Sequence, residues 1–174
     1  MLLKSVFIGF LSFHSVDTPM LKECENHADK ISGCVEREYH SNGNGKIYWE
    51  TPFKNGGREG IEKWYYENGN LWREIPYKNN KAEGIEKWYY ENGKLMAEIP
   101  YLNNLFHGDT RFYTEDGKLL ALVKAENKFI SGKCFNNKVL TDKELRNLKD
   151  FEIAYLFDDV INYLQEICLK SDSK

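Results

Sequence analysis

The chain has 174 residues, and its 24 Lys and Arg against 27 Asp and Glu give a formal net charge of −3. This near balance lacks the basic excess that nucleic-acid binding requires, so we expect no nucleic-acid partner. Aromatic residues are abundant (11 Tyr, 10 Phe and 4 Trp) and Pro is scarce, which argues against disorder. We therefore expect one folded domain with a substantial core.

The first residues, 1–16, resemble a secretory signal peptide. Lys4 precedes an apolar run over 5–13 that is too short to span a bilayer. The residues that follow lack the small-residue pattern of a cleavage site, so a buried strand or short helix is the alternative. Export would make the protein periplasmic or secreted, and otherwise it would be cytoplasmic. Residues 17–34 are expected to form an N-terminal cap segment.

The sequence contains four cysteines, Cys24, Cys34, Cys134 and Cys168. An even number agrees with disulfides formed in an oxidising compartment, and three pairings are possible. We favour Cys24–Cys34, which would close a loop before residue 35, and Cys134–Cys168, which would link the last strand region to a C-terminal helix. Four buried free thiols are the alternative. A zinc site is not expected, because there is no Cys-x-x-Cys and no His at ligand spacing.

A tandem repeat of about 24 residues occupies 35–131. The copies at 60–83 and 84–107 are nearly identical, the copy at 108–131 has diverged, and the copy at 35–59 has two extra residues at its turn. An Asn-Gly or Asp-Gly pair between aromatic and β-branched segments is typical of a two-residue type I′ hairpin. We therefore predict a mainly β fold of four tandem antiparallel hairpins. A glycine recurs at the start of the last three copies, which suggests positive φ or close backbone approach there.

A type I′ turn at Asn68-Gly69 would fix the register of its hairpin. Tyr65 would then face Trp72, and Lys63 would face Glu74 as a cross-strand ion pair, with Lys87–Glu98 equivalent to it. Alternation of side chains then gives two faces. The predicted core face carries Trp64, Tyr66, Leu71, Ile75, Tyr77 and their counterparts Trp88, Tyr90, Leu95, Ile99 and Tyr101.

The opposite face is predicted to carry an aromatic stripe that binds a partner. Exposed aromatic stripes of this kind usually mark interaction sites. Burial of this face under the terminal helices is the alternative. The predicted stripe residues are Tyr39, Tyr48, Tyr65, Trp72, Tyr89, Met96 and Tyr113.

The pattern Tyr-Tyr-Glu-Asn-Gly-x-Leu…Glu-Ile-Pro-Tyr…Gly resembles the bacterial variant of the MORN (membrane occupation and recognition nexus) repeat. The chain is also similar to proteins labelled YwqK-family antitoxins. The resemblance covers about 33–131 and implies tandem β-hairpins in an extended, non-catalytic sheet with a binding role. The four cysteines and the signal-like segment depart from a cytosolic antitoxin.

The C-terminal part, 132–170, is predicted to form a strand or loop followed by an α-helical cap. Thr141 and Glu144 have the spacing of a capping box, and apolar residues recur at helical spacing over 142–169. One long helix or two short ones would fit. We expect this cap to cover the edge strand of the last hairpin, and the segment 14–32 to cap the opposite end.

The sequence shows no recognisable catalytic constellation. The four histidines are scattered, the neighbours Asp158 and Asp159 would point apart on a helix, and there is no Gly-x-Ser-x-Gly or phosphate-binding loop. We therefore expect no enzyme activity, no metal and no cofactor. A protein-binding module, such as an antitoxin or immunity-like protein, is favoured. An envelope-associated scaffold with lipid contact is the alternative, although membrane contact is not favoured because a membrane-surface binder should have a basic face.

Overall fold

The computed structural model describes residues 21–150 and 157–169, so the expected signal peptide at 1–16 lies outside the described residues. Within these ranges the chain forms eleven strands and three helices. In chain order they are α1 (His27–Ser32), β1 (Cys34–Tyr39), β2 (Ile47–Lys54), β3 (Gly57–Arg58), β4 (Gly60–Tyr65), β5 (Leu71–Lys78), β6 (Lys81–Ala82), β7 (Gly84–Tyr89), β8 (Leu95–Leu102), β9 (Leu105–Tyr113), β10 (Leu119–Glu126), β11 (Lys128–Cys134), α2 (Asp142–Asp150) and α3 (Phe157–Leu169).

The strands form one antiparallel sheet in the order β1-β2-β4-β5-β7-β8-β9-β10-β11. The two-residue strands β3 and β6 pair with β2 and β5. Because neighbours in the sheet follow the chain order, the sheet is a meander of consecutive hairpins. The predicted mainly β fold of tandem hairpins with a C-terminal helical cap is confirmed.

The turn inside each repeat is longer than the sequence predicts. The N–H of Gly69 donates to the carbonyl of Tyr66 at 2.9 Å, and the N–H of Tyr66 donates to the carbonyl of Asn70 at 2.9 Å. These bonds close a three-residue loop over 67–69. Gly69 has φ of 92°, whereas Asn68 is not among the described residues with positive φ. The predicted two-residue type I′ turn, which needs positive φ at both positions, is therefore wrong.

A β-bulge just beyond this turn restores the predicted register. Tyr65 pairs with Leu71 instead of Trp72. Farther from the turn, Lys63 pairs with Glu74 as predicted. The extra residue in the turn and the extra residue at the bulge, Trp72, compensate each other. The next repeat has the same shift beside its own turn.

Type I′ geometry occurs at the connections between repeats instead. Asn79 and Asn80 have φ of 49° and 67° and lie between the paired residues Lys78 and Lys81. Two asparagines with positive φ also form the next connection, at 103–104. Asn tolerates this left-handed conformation better than most residues.

The glycine that begins the second and third repeats is required for two reasons. Gly60 has φ of 120°, and a Cβ placed there would lie 2.9 Å from the Cγ of Pro52. Gly84 has φ of 124°, and its Cβ would lie 2.9 Å from the Cγ of Pro76. Positive φ and close approach therefore both apply at Gly60 and Gly84, whereas at Gly108 φ is 110° and a Cβ would lie at an ordinary contact distance of 3.7 Å from Pro100.

Both ends of the sheet have a further segment of chain beside them. Residues 22–24 lie parallel to β1 and are held by the Cys24–Cys34 disulfide, with α1 packed on β1 and β2. At the other end Lys133 forms a bridge with Val139, and α2 packs on β11. These segments occupy edges that would otherwise invite pairing with another chain.

The C-terminal helices are held by a cap and a disulfide. The N–H of Thr141 donates to the Glu144 carboxylate at 2.7 Å, and the N–H of Glu144 donates to Thr141 Oγ1 at 3.3 Å, which confirms the predicted capping box. Cys134 and Cys168 join β11 to α3, so both favoured disulfide pairings form. In the two described ranges no helix is long and apolar enough to cross a membrane.

The main apolar core lies on one face of the sheet, between strands β7–β11 and the two C-terminal helices. Its buried members are Trp88, Met96, Ala97, Ile99, Phe112, Leu120, Ala121, Val123, Cys134, Leu140, Leu145, Leu148, Val160, Ile161, Leu164 and Cys168. Trp64, Trp72 and Trp88 form a row on this side, with ring centroids 6.2 Å and 5.6 Å apart. We call this side of the whole sheet the Trp face. The opposite side is called the Tyr face, after Tyr39, Tyr65, Tyr89 and Tyr113.

Candidate functional site

The structure divides the predicted stripe between the two faces. The tyrosine column stays on the Tyr face, but Tyr48, Trp72 and Met96 lie on the Trp face. Trp72 packs between the rings of Trp64 and Trp88, and Met96 is buried in the core. The prediction of one continuous stripe is therefore wrong. The physical reason is the bulge, which turns the residue after Leu71 toward the core side.

The Tyr face is a network that joins each repeat to the one before it. Three of the four tyrosine hydroxyls donate to a glutamate of the preceding repeat: Tyr65 to Glu50 at 2.8 Å, Tyr89 to Glu74 at 2.9 Å and Tyr113 to Glu98 at 3.0 Å. Tyr39, in the first repeat, donates to Glu23 of the N-terminal segment at 2.7 Å. Burial, followed by the bond to its glutamate, raises the pKa of Tyr65 and of Tyr89 well above that of a free tyrosine.

Lysines of the Tyr face also form ion pairs with glutamates of the preceding repeat. Lys87 Nζ lies 3.3 Å from Glu74, and Lys63 Nζ lies 4.0 Å from Glu50. The predicted Lys63–Glu74 and Lys87–Glu98 ion pairs are neighbours in register, but the described residues form these inter-repeat pairs instead. Because these tyrosine hydroxyls, lysines and glutamates already have partners, the central part of the Tyr face is mainly structural.

The Trp face changes character along the repeats. One column of equivalent positions reads Trp49, Arg73, Ala97 and Ala121. Both alanines are fully buried in the core cluster that the C-terminal helices help to form. Small side chains allow a helix to approach the sheet closely, whereas Trp49 and Arg73 occupy that space in the first two repeats. The C-terminal helices α2 and α3 therefore pack on the C-terminal repeats, and the first two repeats make different contacts on this face.

Three aromatic residues of the first two repeats form what we call the open aromatic surface: Tyr48, Trp49 and Trp64. All three are half-buried, and they lie outside the apolar cluster that the described helices help to form. The Trp64 ring lies 6.0 Å from Trp49 and 5.3 Å, edge-on, from Tyr48. The indole N–H of Trp49 donates to Glu38, which is exposed on β1. The surface thus combines large rings with an accessible carboxylate.

Two buried glutamates lie beside this surface, one in each central repeat. Glu62 accepts from Trp64 Nε1 at 3.1 Å and from Thr51 Oγ1 at 2.9 Å. Glu86 accepts from the indole of Trp88 and from Arg73 Nε at 2.7 Å. These bonds satisfy the buried carboxylates and fix the orientation of the tryptophans.

Acidic groups also lie near the start of α3. Asp158 is exposed there. Burial, and then the charges of Asp158 and Glu91, raise the pKa of Tyr66 to about 12. This part of the Trp face therefore has a negative local field.

Among the residues that the structure describes, no group of side chains arranged for catalysis is evident on either face. In the ranges 21–150 and 157–169, no group of three or more His, Cys, Asp or Glu side chains is placed to hold a metal ion. Sequence reasoning missed Glu38, Trp49 and the buried glutamates as site residues. An alignment of the four repeats would have identified Trp49, because the residue at this position changes from Trp to Arg and then to Ala along the repeats.

Comparisons with known proteins were made for the family, the sequence and the fold. Two segments, 58–79 and 82–103, match the family described as MORN repeat variant. No curated protein sequence matches the chain.

Two solved structures were found to be similar to parts of this chain. One is of accessory secretory proteins 1, 2 and 3 in Streptococcus pneumoniae, with 13% identity and a TM-score of 0.40, covering 83% of this chain and 28% of that chain. The other is the glycosylation-associated Gap123 complex from Streptococcus agalactiae, with 14% identity and a TM-score of 0.38, covering 76% of this chain and 24% of that one. The chain thus spans less than a third of the length of either. From the family match, the central part of this chain carries two tandem repeats of the MORN variant type.

Proposed function

We propose that this chain is a non-enzymatic protein-binding repeat module and that its partner binds the open aromatic surface. The observation that supports this most is the continuous row of aromatic rings on the Trp face. It runs from the buried Trp88, through Trp72, to Trp64 and Tyr48, which are half-buried and lie outside the main core cluster. Tryptophan and tyrosine are enriched among residues that dominate binding energy at interfaces.

The alternative surface, the Tyr face, is less suited to this role. Its tyrosine hydroxyls and its glutamates bind each other across the repeat boundaries. A partner would have to replace these bonds, which reduces the net gain from binding. The open aromatic surface offers ring area that a partner can cover without breaking this network.

The rest of the fold supports a rigid platform. Type I′ connections and the inter-repeat tyrosine bonds hold the hairpins in a fixed arrangement, and two disulfides attach the N-terminal segment and α3 to the ends of the sheet. Disulfides persist in oxidising compartments, so we propose a periplasmic or secreted location. A rigid platform of this kind could mask a surface of its partner, which would suit an antitoxin or immunity-like role of this chain, as the family resemblance implies.

The test is a comparison of two truncations on opposite faces. Capture from an extract of the source cells with the immobilised, oxidised chain should recover a stoichiometric partner, and calorimetry with the purified partner should then measure the affinity. Trp49→Ala is expected to weaken binding by about 30-fold, the effect of losing about 2 kcal/mol at an interface hot spot. Tyr113→Ala, the matched aromatic truncation on the Tyr face, should change the affinity by less than about threefold.

Both variants must first show cooperative thermal unfolding close to that of the parent chain. Loss of binding in Tyr113→Ala together with full binding in Trp49→Ala would place the interface on the Tyr face and refute this assignment.

A further inference from the structure

The Trp face repeats one arrangement of three groups: a cation, an aromatic ring and a glutamate. The Arg73 guanidinium lies 4.5 Å from the centre of the Trp88 ring, and its Nε is 2.7 Å from Glu86. The ring holds the cation by its negative face while the carboxylate supplies the opposite charge.

Two further examples lie on the same face nearer the N-terminus. Arg58 is 3.9 Å from the centre of the Tyr77 ring and 3.6 Å from Glu62. Lys30, from α1, is 4.3 Å from the centre of the Phe53 ring and 3.1 Å from Glu36. The arrangement therefore occurs with three different rings and with both kinds of basic side chain.

At the open aromatic surface the ring and the carboxylate are present, but the described chain supplies no cation. Glu38 is exposed and accepts from the Trp49 indole, and no described Lys or Arg pairs with it. The basic residues nearby on this face are already engaged, Lys30, Arg58 and Arg73 with their own glutamates. Asp158 and Glu91 add negative charge toward the start of α3.

Resting on the proposed function, we propose that the open aromatic surface recognises a basic segment of its protein partner. An arginine or lysine of that segment lies over the rings of Trp49 and Trp64 and pairs with Glu38. A partner segment of this kind completes, between two molecules, the arrangement that the chain completes three times within itself. Charge complementarity selects a basic peptide over an acidic one or an anionic lipid surface.

The probes are three acetylated and amidated peptides of the sequence Gly-Ser-X-Gly-X-Ser-Gly, where X is arginine, citrulline or glutamate. Citrulline has nearly the shape of arginine without its charge. The readout is the set of indole N–H signals of the four tryptophans in ¹H–¹⁵N NMR spectra of the full chain. We expect the arginine peptide to move the signals of Trp49 and Trp64 and to leave that of Trp88, which is 2% exposed, unchanged. The citrulline peptide should bind at least about fivefold more weakly, and added salt should weaken the arginine peptide.

Two matched variants each remove the charge of one carboxylate, and the two carboxylates lie on opposite faces of the sheet. Glu38→Gln should weaken the arginine peptide at least about threefold. Asp109→Asn, an exposed carboxylate on the Tyr-face side of β9 without an ion pair in the described chain, should leave it unchanged. The inference is overturned if citrulline binds as well as arginine, if Glu38→Gln has no effect, or if no peptide moves these two signals.

Other occupants have their own readouts. Self-association in sedimentation that Trp49→Ala abolishes would assign the surface to a second copy of the chain. Binding to phosphatidylglycerol vesicles that Trp49→Ala abolishes would assign it to a lipid surface. Either result overturns the basic-peptide inference. If the captured partner needs Trp49 but is insensitive to Glu38→Gln and to salt, the proposed function stands and only this inference fails.

Discussion

Arg73 and Glu86 form an ion pair that joins the second repeat to the third, with Arg73 Nε 2.7 Å from the Glu86 carboxylate. The carboxylate is almost fully buried, with 2% of its side chain exposed, against 19% for the arginine. The Trp88 indole donates to the same glutamate. A charge so deeply buried is tolerated only while its partner is present.

Removing the arginine is therefore expected to destabilise the fold strongly. Arg73→Met leaves the Glu86 carboxylate buried without a cation, and the free energy of unfolding should fall by about 3–5 kcal/mol. Urea denaturation followed by circular dichroism measures this loss. The double variant Arg73→Met with Glu86→Gln carries no buried charge and keeps an acceptor for the Trp88 indole, so it should be clearly more stable than the single variant. Equal stabilities would show that the charge of Glu86 does not need Arg73.

The register of the hairpins was predictable from the sequence, but the geometry that produces it was not. An Asn-Gly pair between strands fits a two-residue type I′ turn and also a three-residue loop with glycine at its end. The chain forms the three-residue loop. Because of the bulge at Trp72, Lys63 nevertheless pairs with Glu74 as expected. The same bulge moved Trp72 to the opposite face, because one inserted residue inverts the alternation of side chains.

Features set by local chemistry were predicted more successfully than those set by packing. The capping box at Thr141 and Glu144 and the disulfide Cys24–Cys34 are both formed. The open aromatic surface depends instead on where the C-terminal helices lie, which is decided by long-range packing on Ala97 and Ala121. Periodicity within a single repeat does not contain that information, whereas the differences between repeats do.

In the type I′ connections between repeats, the side-chain hydrogen bond and the backbone conformation are each expected to contribute to the stability of the fold. Asn80 has φ of 67°, and its Oδ1 accepts from the N–H of Arg58 at 2.7 Å. Asn80→Gly removes this bond while keeping the conformation accessible, so it should destabilise by about 0.5–1.5 kcal/mol. Asn80→Ala also loses this bond but keeps a Cβ at positive φ, without the polar side chain that lets Asn tolerate this conformation, so it should be about 1–2 kcal/mol less stable than Asn80→Gly. Urea denaturation of both variants tests this order, and an alanine variant as stable as the glycine variant would contradict it.

The two disulfides are expected to stabilise the fold to different degrees. Cys24–Cys34 closes a loop with a sequence separation of 10, and Cys134–Cys168 closes one of 34. Loop-closure entropy predicts about 2.7 kcal/mol for the shorter loop and about 3.8 kcal/mol for the longer. The double Cys→Ser variant of each pair, compared by urea denaturation, should therefore show a difference of about 1 kcal/mol. The variant lacking Cys134–Cys168 should also be cleaved faster by protease, because this bond holds α3 to β11. If the order of the two losses is reversed, chain entropy is not the main contribution.

Tyr66 and Tyr90 are expected to make the fold sensitive to alkaline pH. The Tyr66 hydroxyl donates to the carbonyl of Tyr89 at 2.7 Å, and that of Tyr90 donates to the carbonyl of Tyr113 at 2.8 Å. Burial, and then the charges of Asp158 and Glu91, raise the pKa of Tyr66 to about 12. Burial, and then the charges of Glu115, Asp158 and Asp116, raise the pKa of Tyr90 to about 12. The ordinary pKa of tyrosine is about 10.

Because the folded-state pKa lies above the unfolded value, the unfolded chain loses these protons first. The stabilisation from the neutral hydroxyls is therefore complete below about pH 10 and is lost as the pH rises toward about 12. All four cysteines are in disulfides, so no thiol titrates in this range. Urea midpoints across this window, with tyrosinate absorbance as a second readout, should show a fall in stability. The double variant Tyr66→Phe with Tyr90→Phe should be less stable near neutral pH, since both bonds are lost, but should show a shallower fall. An equally steep fall in that variant would assign the alkaline transition to other groups.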